Sequence, residues 1–178
     1  MSLAPIIMTT RLAMRTHAPE DFADSLALWR HPTTVRYLGG RALTPEEVWL
    51  RLLRYWGSWA MLGYGLWRVE ERATGAFVGE LGFQELKRDS KPSYAGEPEA
   101  GWVLMPEFHG QGYAGEALQA ALDWADVNIA TSRLVCIIHP ENASSIKLAR
   151  VLGFARQYDL EYKGAPMALF SRPNPRAH

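Results

Sequence analysis

The sequence predicts a single mixed α/β domain, on three observations. Four segments read as helices and seven others as strands. The two kinds of segment interleave in the order β-α-α-β-β-β-α-β-α-β-β. No linker is long enough to divide the chain, so one domain is expected to span residues 1–178.

Arg11 to Thr16 reads as a short strand. Pro19 to Trp29 reads as a helix: Pro19 marks its start, Glu20 and Asp21 place acids in the first turn, and Phe22, Leu26 and Trp29 share a face. Thr44-Pro45-Glu46-Glu47 is a capping box with proline at the first helical position, and Leu50, Leu53 and Trp56 follow on a helical stripe. From Gly65 the period changes to two. Leu66 to Glu71 and Ala76 to Leu86 form a hairpin around Ala73-Thr74-Gly75. Lys87 to Pro98 is charged and broken by two prolines and a glycine, which predicts a surface loop. Glu99 to Met105 is the next strand, ended by Pro106. Ala114, Ala117, Leu118, Ala121, Leu122 and Ala125 then define the clearest amphipathic helix. Arg133 to Ile138 is an apolar strand. Asn142 caps a helix that stops at Gly153, and Phe154 to Tyr162 and Ala165 to Phe170 close the chain as strands around Lys163-Gly164.

Composition narrows the function classes. Nineteen basic residues balance nineteen acidic ones, which argues against nucleic-acid binding by a general positive field. The longest uncharged run, Tyr55 to Trp67, is too short to cross a bilayer, and Met1 to Arg11 carries no basic region before a long apolar run. One cysteine cannot form an internal disulfide and fits a reducing compartment, so the expectation is a cytoplasmic protein with neither a nucleic-acid nor a membrane partner. Cys136-x-x-His139 lacks a second ligand pair at zinc spacing, so no metal is expected; Cys136, on an apolar strand, reads as core. Trp29, Trp49, Trp56, Trp59 and Trp67 crowd the N-terminal half. Most read as core, with Trp56 and Trp59 as candidates to line an acceptor site.

The most informative stretch is His109-Gly110-Gln111-Gly112-Tyr113-Ala114-Gly115, between a strand and the amphipathic helix. Glycines there let the backbone approach a ligand, while free N–H groups of the first turn and the helix dipole favour an anion, above all a phosphate. A plain tight turn is the bland alternative. Gly110 to Gly115 also spells the G-x-G-x-x-G of dinucleotide-binding folds. Pro106-Glu107-Phe108-His109 stands where that fold needs a buried strand running into the turn, and the next strand ends at His139 instead of at a ribose-binding carboxylate.

The same segment resembles the acyl-CoA pyrophosphate loop, Gln/Arg-x-x-Gly-x-Gly/Ala, of the GCN5-related N-acetyltransferases (GNAT), and its continuation through Glu116-Ala117 resembles the RimJ/RimL branch. Thr10-Arg11-Leu12 resembles that branch's opening Glu-Arg-Leu. Glu99-Ala100-Gly101-Trp102 resembles its Glu-hydrophobic-Gly-aromatic strand, and Asn142-Ala143-Ser144-Ser145 through Gly153-Phe154 its Asn-x-x-Ser helix. His109 departs from the motif's Gln/Arg.

The resemblance implies a mostly antiparallel central sheet of six to seven strands flanked by about four helices. It implies acetyl-CoA as co-substrate and direct transfer to a primary amine, on a protein N-terminus or a small molecule, within a ternary complex. Implied cofactor contacts are the backbone of Val103, Leu104 and Met105, the loop His109, Gly110, Gln111, Gly112, Tyr113, Ala114 and Gly115, and Asn142 and Ser145. A homodimer, common in the family, is left open.

Acetyl transfer needs the amine deprotonated, the thioester oxygen stabilised and the thiolate protonated. Glu99 is the first choice of base, followed by Glu161 and then Glu80; each also reads as an ordinary strand carboxylate. The tyrosine that many family members carry seven residues after the helix asparagine is Ala149 here. Ser145 is therefore the candidate acid, with helix capping as its alternative role. A non-catalytic acyl-CoA-binding or sensing domain is the other functional class.

Overall fold

The computed structural model describes residues 4–176, so Met1-Ser2-Leu3 and the last two positions lie outside it. Its nine strands are β1 (Ile7–Met8), β2 (Leu12–Arg15), β3 (Leu66–Glu71), β4 (Phe77–Gln84), β5 (Ser90–Lys91), β6 (Glu99–Leu104), β7 (Arg133–Ile138), β8 (Ala155–Tyr162) and β9 (Ala165–Pro173). The five α-helices are α1 (Phe22–Arg30), α2 (Pro32–Val35), α3 (Pro45–Leu62), α4 (Tyr113–Asn128) and α5 (Ala143–Val151). The seven expected strands and four expected helices are all present. Added to them are two-residue β1 and β5 and four-residue α2, which are too short to establish a period.

The chain forms two compact units, and β4, β6 and α4 each begin in one and end in the other. The first holds residues up to Gly82 together with Trp102–Ala121. There β1, β2, β3 and β4 pair antiparallel in sequence order. Met105 N–H donates to Val78 C=O, and a side chain at Gly79 would place its Cβ 2.3 Å from Val103 O, so only glycine permits this backbone approach. Helix α3 starts as expected: Thr44 Oγ1 accepts from Glu47 N–H and Glu47 returns a bond to Thr44 N–H. Its buried face differs. Val48, Leu52, Tyr55 and Trp59 point inward, whereas Leu50 and Leu53, expected on the core stripe, are about half exposed. Two apolar stripes overlap on this helix, and the one carrying the larger aromatic side chains takes the core.

The second unit holds Phe83–Gly101 and the chain from Leu122 onward. Strands β7, β9, β8 and β5 pair antiparallel in that order, and β6 meets β7 in parallel at Glu99↔Val135. Tyr94, Val135, Leu160, Met167 and Leu169 form a core cluster. The expected surface loop 87–98 is thus partly ordered as β5 and partly packed through Tyr94.

Candidate active site

In the first unit the candidate site is a turn joining two elements. After β6 a single 3-10 turn, Pro106–Phe108, reverses the chain into Gly110 and Gly112, whose φ angles of 72° and 80° lie in the left-handed region that a side chain disfavours. The first bond of the α4 ladder is Glu116 N–H to Gly112 C=O. The N–H groups of Gly110 through Gly115 meet no acceptor among the described residues, and those of the first turn carry the positive end of the helix dipole. This is the chemistry of an anion cradle made from backbone alone.

Two side chains of the turn are engaged within the protein. Tyr113 is buried, its hydroxyl donating to the Glu71 carboxylate. His109 Nε2 lies 3.0 Å from Leu104 O; a carbonyl only accepts, so this nitrogen carries the proton. Leu104 C=O is therefore engaged, as is Met105 on both sides: its N–H bonds Val78 and its C=O accepts from Phe108.

The first unit also disposes of Glu80. It is completely buried on β4 and accepts from Ser25 Oγ (2.6 Å), Trp29 Nε1 (2.9 Å) and the Tyr55 hydroxyl (2.9 Å), with His17 Nε2 at 3.5 Å. Burial pushes its carboxyl up, but His17 and the hydroxyl and indole donors outweigh that and hold it down at about 2. Sealed from solvent and stabilised as the anion, it is a structural hub, not a base. Trp59 is likewise core: its Nε1 donates to Leu66 O. Trp56 Nε1 donates to His17 O.

In the second unit Glu99 opens β6, nearly buried, with both oxygens occupied. Arg88 donates from Nε (2.7 Å) and Nη2 (2.8 Å), Tyr94 from its hydroxyl (2.8 Å) and Gln84 from Nε2 (3.2 Å). Asn142 caps α5 by accepting from Ser145 N–H, and Ser144 Oγ donates to the same oxygen. Ser145 is half-buried, and capping uses its backbone N–H and leaves Oγ available. Glu161 is exposed on β8, opposite Pro166 on one side and Lys91 on the other. Cys136 is buried, and burial reinforced by the charge of Glu99 pushes its thiol far up, which removes it as a nucleophile at neutral pH.

Periodicity gave no sign of Arg11, which reaches the glycine turn from 100 residues away in sequence, nor of Arg88 and Tyr94 around Glu99. Long-range ion pairs have no local sequence signal.

Comparison with known proteins bears on this geometry. A family model described as an acetyltransferase (GNAT) domain matches residues 11–155. A GnaT-family acetyltransferase from Bordetella pertussis is 31% identical with a TM-score of 0.84, over 95% of this chain and 99% of that one. YoaA of Bacillus subtilis, an uncharacterized N-acetyltransferase, is 23% identical over 86% of this chain and 84% of its own length. RimL, a ribosomal alpha-N-protein acetyltransferase solved in complex with coenzyme A, shares the fold at 17% identity, with a TM-score of 0.76 over 95% of this chain and 98% of its own.

Proposed function

The chain belongs to the GNAT family of acetyltransferases, and from that premise we propose that it passes the acetyl group of acetyl-CoA directly to a primary amine within a ternary complex. The whole chain, 1–178, serves in this reading as one N-acetyltransferase domain of the RimJ/RimL-like branch, working in the cytoplasm. Among the described residues no helix is long and apolar enough to cross a membrane. The acceptor is a protein N-terminal amine or a small-molecule amine.

The observation that carries the reading is the Gly110–Gly115 turn, whose unengaged N–H groups at the start of α4 fit a pyrophosphate. That RimL is solved with coenzyme A on the same fold supports it. Bound there, acetyl-CoA supplies the activated acyl group. The protein's part is to orient that group, exclude water and move two protons, and this scheme calls for no metal ion.

We assign base and acid to Glu99 or Glu161 and to Ser145, and the three face different demands. Glu161 is exposed and can take a proton from an amine through a bridging water. Glu99 holds four donors, so a proton can reach it only by displacing one of them or through the Tyr94 hydroxyl. Ser145 Oγ stands at the N-terminus of α5, where the helix dipole eases donation to a departing thiolate.

The test has two steps. Saturating CoA should raise the melting temperature of the purified protein by several degrees, because a ligand that binds only the folded state stabilises it. A panel of peptide and small-molecule amines, followed by release of CoA thiol, should then give turnover with at least one class. No thermal shift with CoA overturns the cofactor reading, and a shift without turnover on any amine overturns the acceptor reading.

A further inference from the structure

One side chain from outside the glycine turn holds a carbonyl of its backbone. We propose that Arg11 is the positioning residue of the pyrophosphate turn: it fixes the turn's backbone and neutralises the carboxylate behind it. This rests on the reading of Gly110–Gly115 as the CoA loop.

Arg11 follows Thr10 and precedes β2, and two of its three guanidinium nitrogens bond the turn and the helix behind it. Nη1 donates to Gln111 O at 2.9 Å, and Nε donates to Glu116 Oε2 at 2.6 Å. The guanidinium carbon sits 4.2 Å above the Tyr113 ring, a stacking arrangement that the planar group of arginine favours. Nη2 lies 3.4 Å from where a Cβ on Gly112 would stand, so the cation passes directly beneath the second left-handed glycine. Arg11 thus touches Gln111, Tyr113 and Glu116 and passes beneath Gly112, which are successive parts of one anion-binding turn.

Glu116 explains why a cation is needed there. It lies in the first turn of α4, where its own charge satisfies the helix dipole and would repel a phosphate at the same N–H groups. Its two oxygens instead face inward. Oε1 accepts from Thr9 Oγ1 (2.6 Å) and Arg11 N–H (2.8 Å), while Oε2 takes the Arg11 side chain. Hydrogen bonds from Thr9 and Arg11 hold the Glu116 carboxyl below its usual range, although burial opposes them, so it is charged at neutral pH. Arg11 neutralises it and leaves the dipole to the ligand. The anchor is itself fixed: Arg11 C=O accepts from Arg72 N–H, and the Arg72 side chain donates to Thr9 O and Thr10 O.

A positioning role predicts an effect confined to the pyrophosphate part of the cofactor. Dissociation constants of CoA and of pantetheine, which lacks the pyrophosphate and nucleotide, are measured by calorimetry for the wild type, Arg11→Met and Arg11→Lys. The wild type should bind CoA more tightly than pantetheine. Arg11→Met should weaken CoA by about tenfold, the scale of one lost charge-assisted interaction, and leave pantetheine unchanged. Arg11→Lys keeps the charge without the fork and should fall between, by about threefold. Adding Glu116→Gln to Arg11→Met should recover part of the loss, because it removes the uncompensated carboxylate.

Equal binding of CoA and pantetheine by the wild type would overturn the loop reading and Arg11's role with it. Wild-type discrimination that survives in both Arg11 variants would overturn Arg11's role alone, as would an equal loss for both ligands, the mark of general damage. If Arg11→Met does not fold, Arg11→Lys decides: an unchanged CoA-to-pantetheine ratio overturns the proposal and a threefold fall supports it.

Discussion

Each unit contains one strand carboxylate that is nearly or wholly buried, and the two solve the same electrostatic problem differently. Glu80 is surrounded by a hydroxyl, an indole, a phenol and an imidazole, with no guanidinium or ammonium bonded to it. Glu99 has Arg88 as a two-pronged counter-ion, with Tyr94 and Gln84 completing its shell. A buried carboxylate without partners loses several kcal/mol of hydration. At Glu80 three hydrogen-bond donors and the nearby His17 ring together do what one bidentate guanidinium does at Glu99. The three donors come from packed elements: Ser25 and Trp29 lie on α1 and Tyr55 on α3. Glu80 is therefore a rivet between helices and β4. Glu99 instead ties down the segment 88–98, which the β5–β8 pairing and the Arg133–Glu97 ion pair also hold.

The largest effect is expected from emptying the first cluster. Glu80→Ala leaves three buried donors without an acceptor, and at 1–3 kcal/mol for each orphaned group the loss should be about 4 kcal/mol or more, enough to unfold a marginal domain. Urea denaturation followed by circular dichroism measures it; a loss below about 1 kcal/mol would show that these donors do not hold the charge. Arg88→Met strands the Glu99 carboxylate inside the protein, and breaking such a pair from one side should cost about 3 kcal/mol. Part of that cost can be relieved by mobility of 88–98, so limited proteolysis should cut this segment faster in the variant than in the wild type.

Acid separates the clusters next. Glu80 has a folded-state value of about 2 against the ordinary 4.5, so it is lowered by folding. Its contribution is then fully present above the ordinary value and drains away as pH falls toward 2. Stability measured between about pH 5 and pH 2 should fall in the wild type. It should fall less steeply in Glu80→Gln, provided that the variant folds, because the glutamine has no proton to gain. Parallel slopes for the two proteins would mean that Glu80 is not the group responsible.

How much of this was readable beforehand depends on the range of the interaction. The glycine turn was, because its chemistry resides in backbone that consecutive residues Gly110–Gly115 specify. The α4 face was too: Ala117, Leu118, Ala121, Leu122 and Ala125 are all buried. Helix α3 misled because Leu50 and Leu53 are as apolar as the Leu52 that won, and only the tertiary partner chooses between stripes. The carboxylates were hardest. Glu80, Glu99 and Glu161 look alike as strand glutamates, and what distinguishes them is donors supplied from α1, α3 or the 88–98 segment, or the lack of them. Arg11 was visible as part of a resembling motif, but its use was not, since Glu116 lies 105 residues away.

The smallest effect sharpens the contrast most. Tyr55→Phe and Tyr94→Phe each delete one hydroxyl that donates to a buried carboxylate, at 2.9 and 2.8 Å, with little change of shape. Were the hydrogen bond all that mattered, the costs would be equal. They should differ, because the charge that remains is compensated differently. At Glu99 the bidentate guanidinium still neutralises the anion, so Tyr94→Phe should cost about 1 kcal/mol, the ordinary net value of one hydrogen bond. At Glu80 the remaining shell is Ser25, Trp29 and a more distant His17, and Tyr55→Phe should cost about 2 kcal/mol, toward the upper range for bonds to charged groups. Chemical denaturation resolves a difference of that size if both variants unfold with the wild-type slope. Equal costs would mean that an arginine counter-ion and a shell of hydroxyl, indole and imidazole groups are interchangeable at these sites, and the distinction between rivet and tether would then rest on the elements they join.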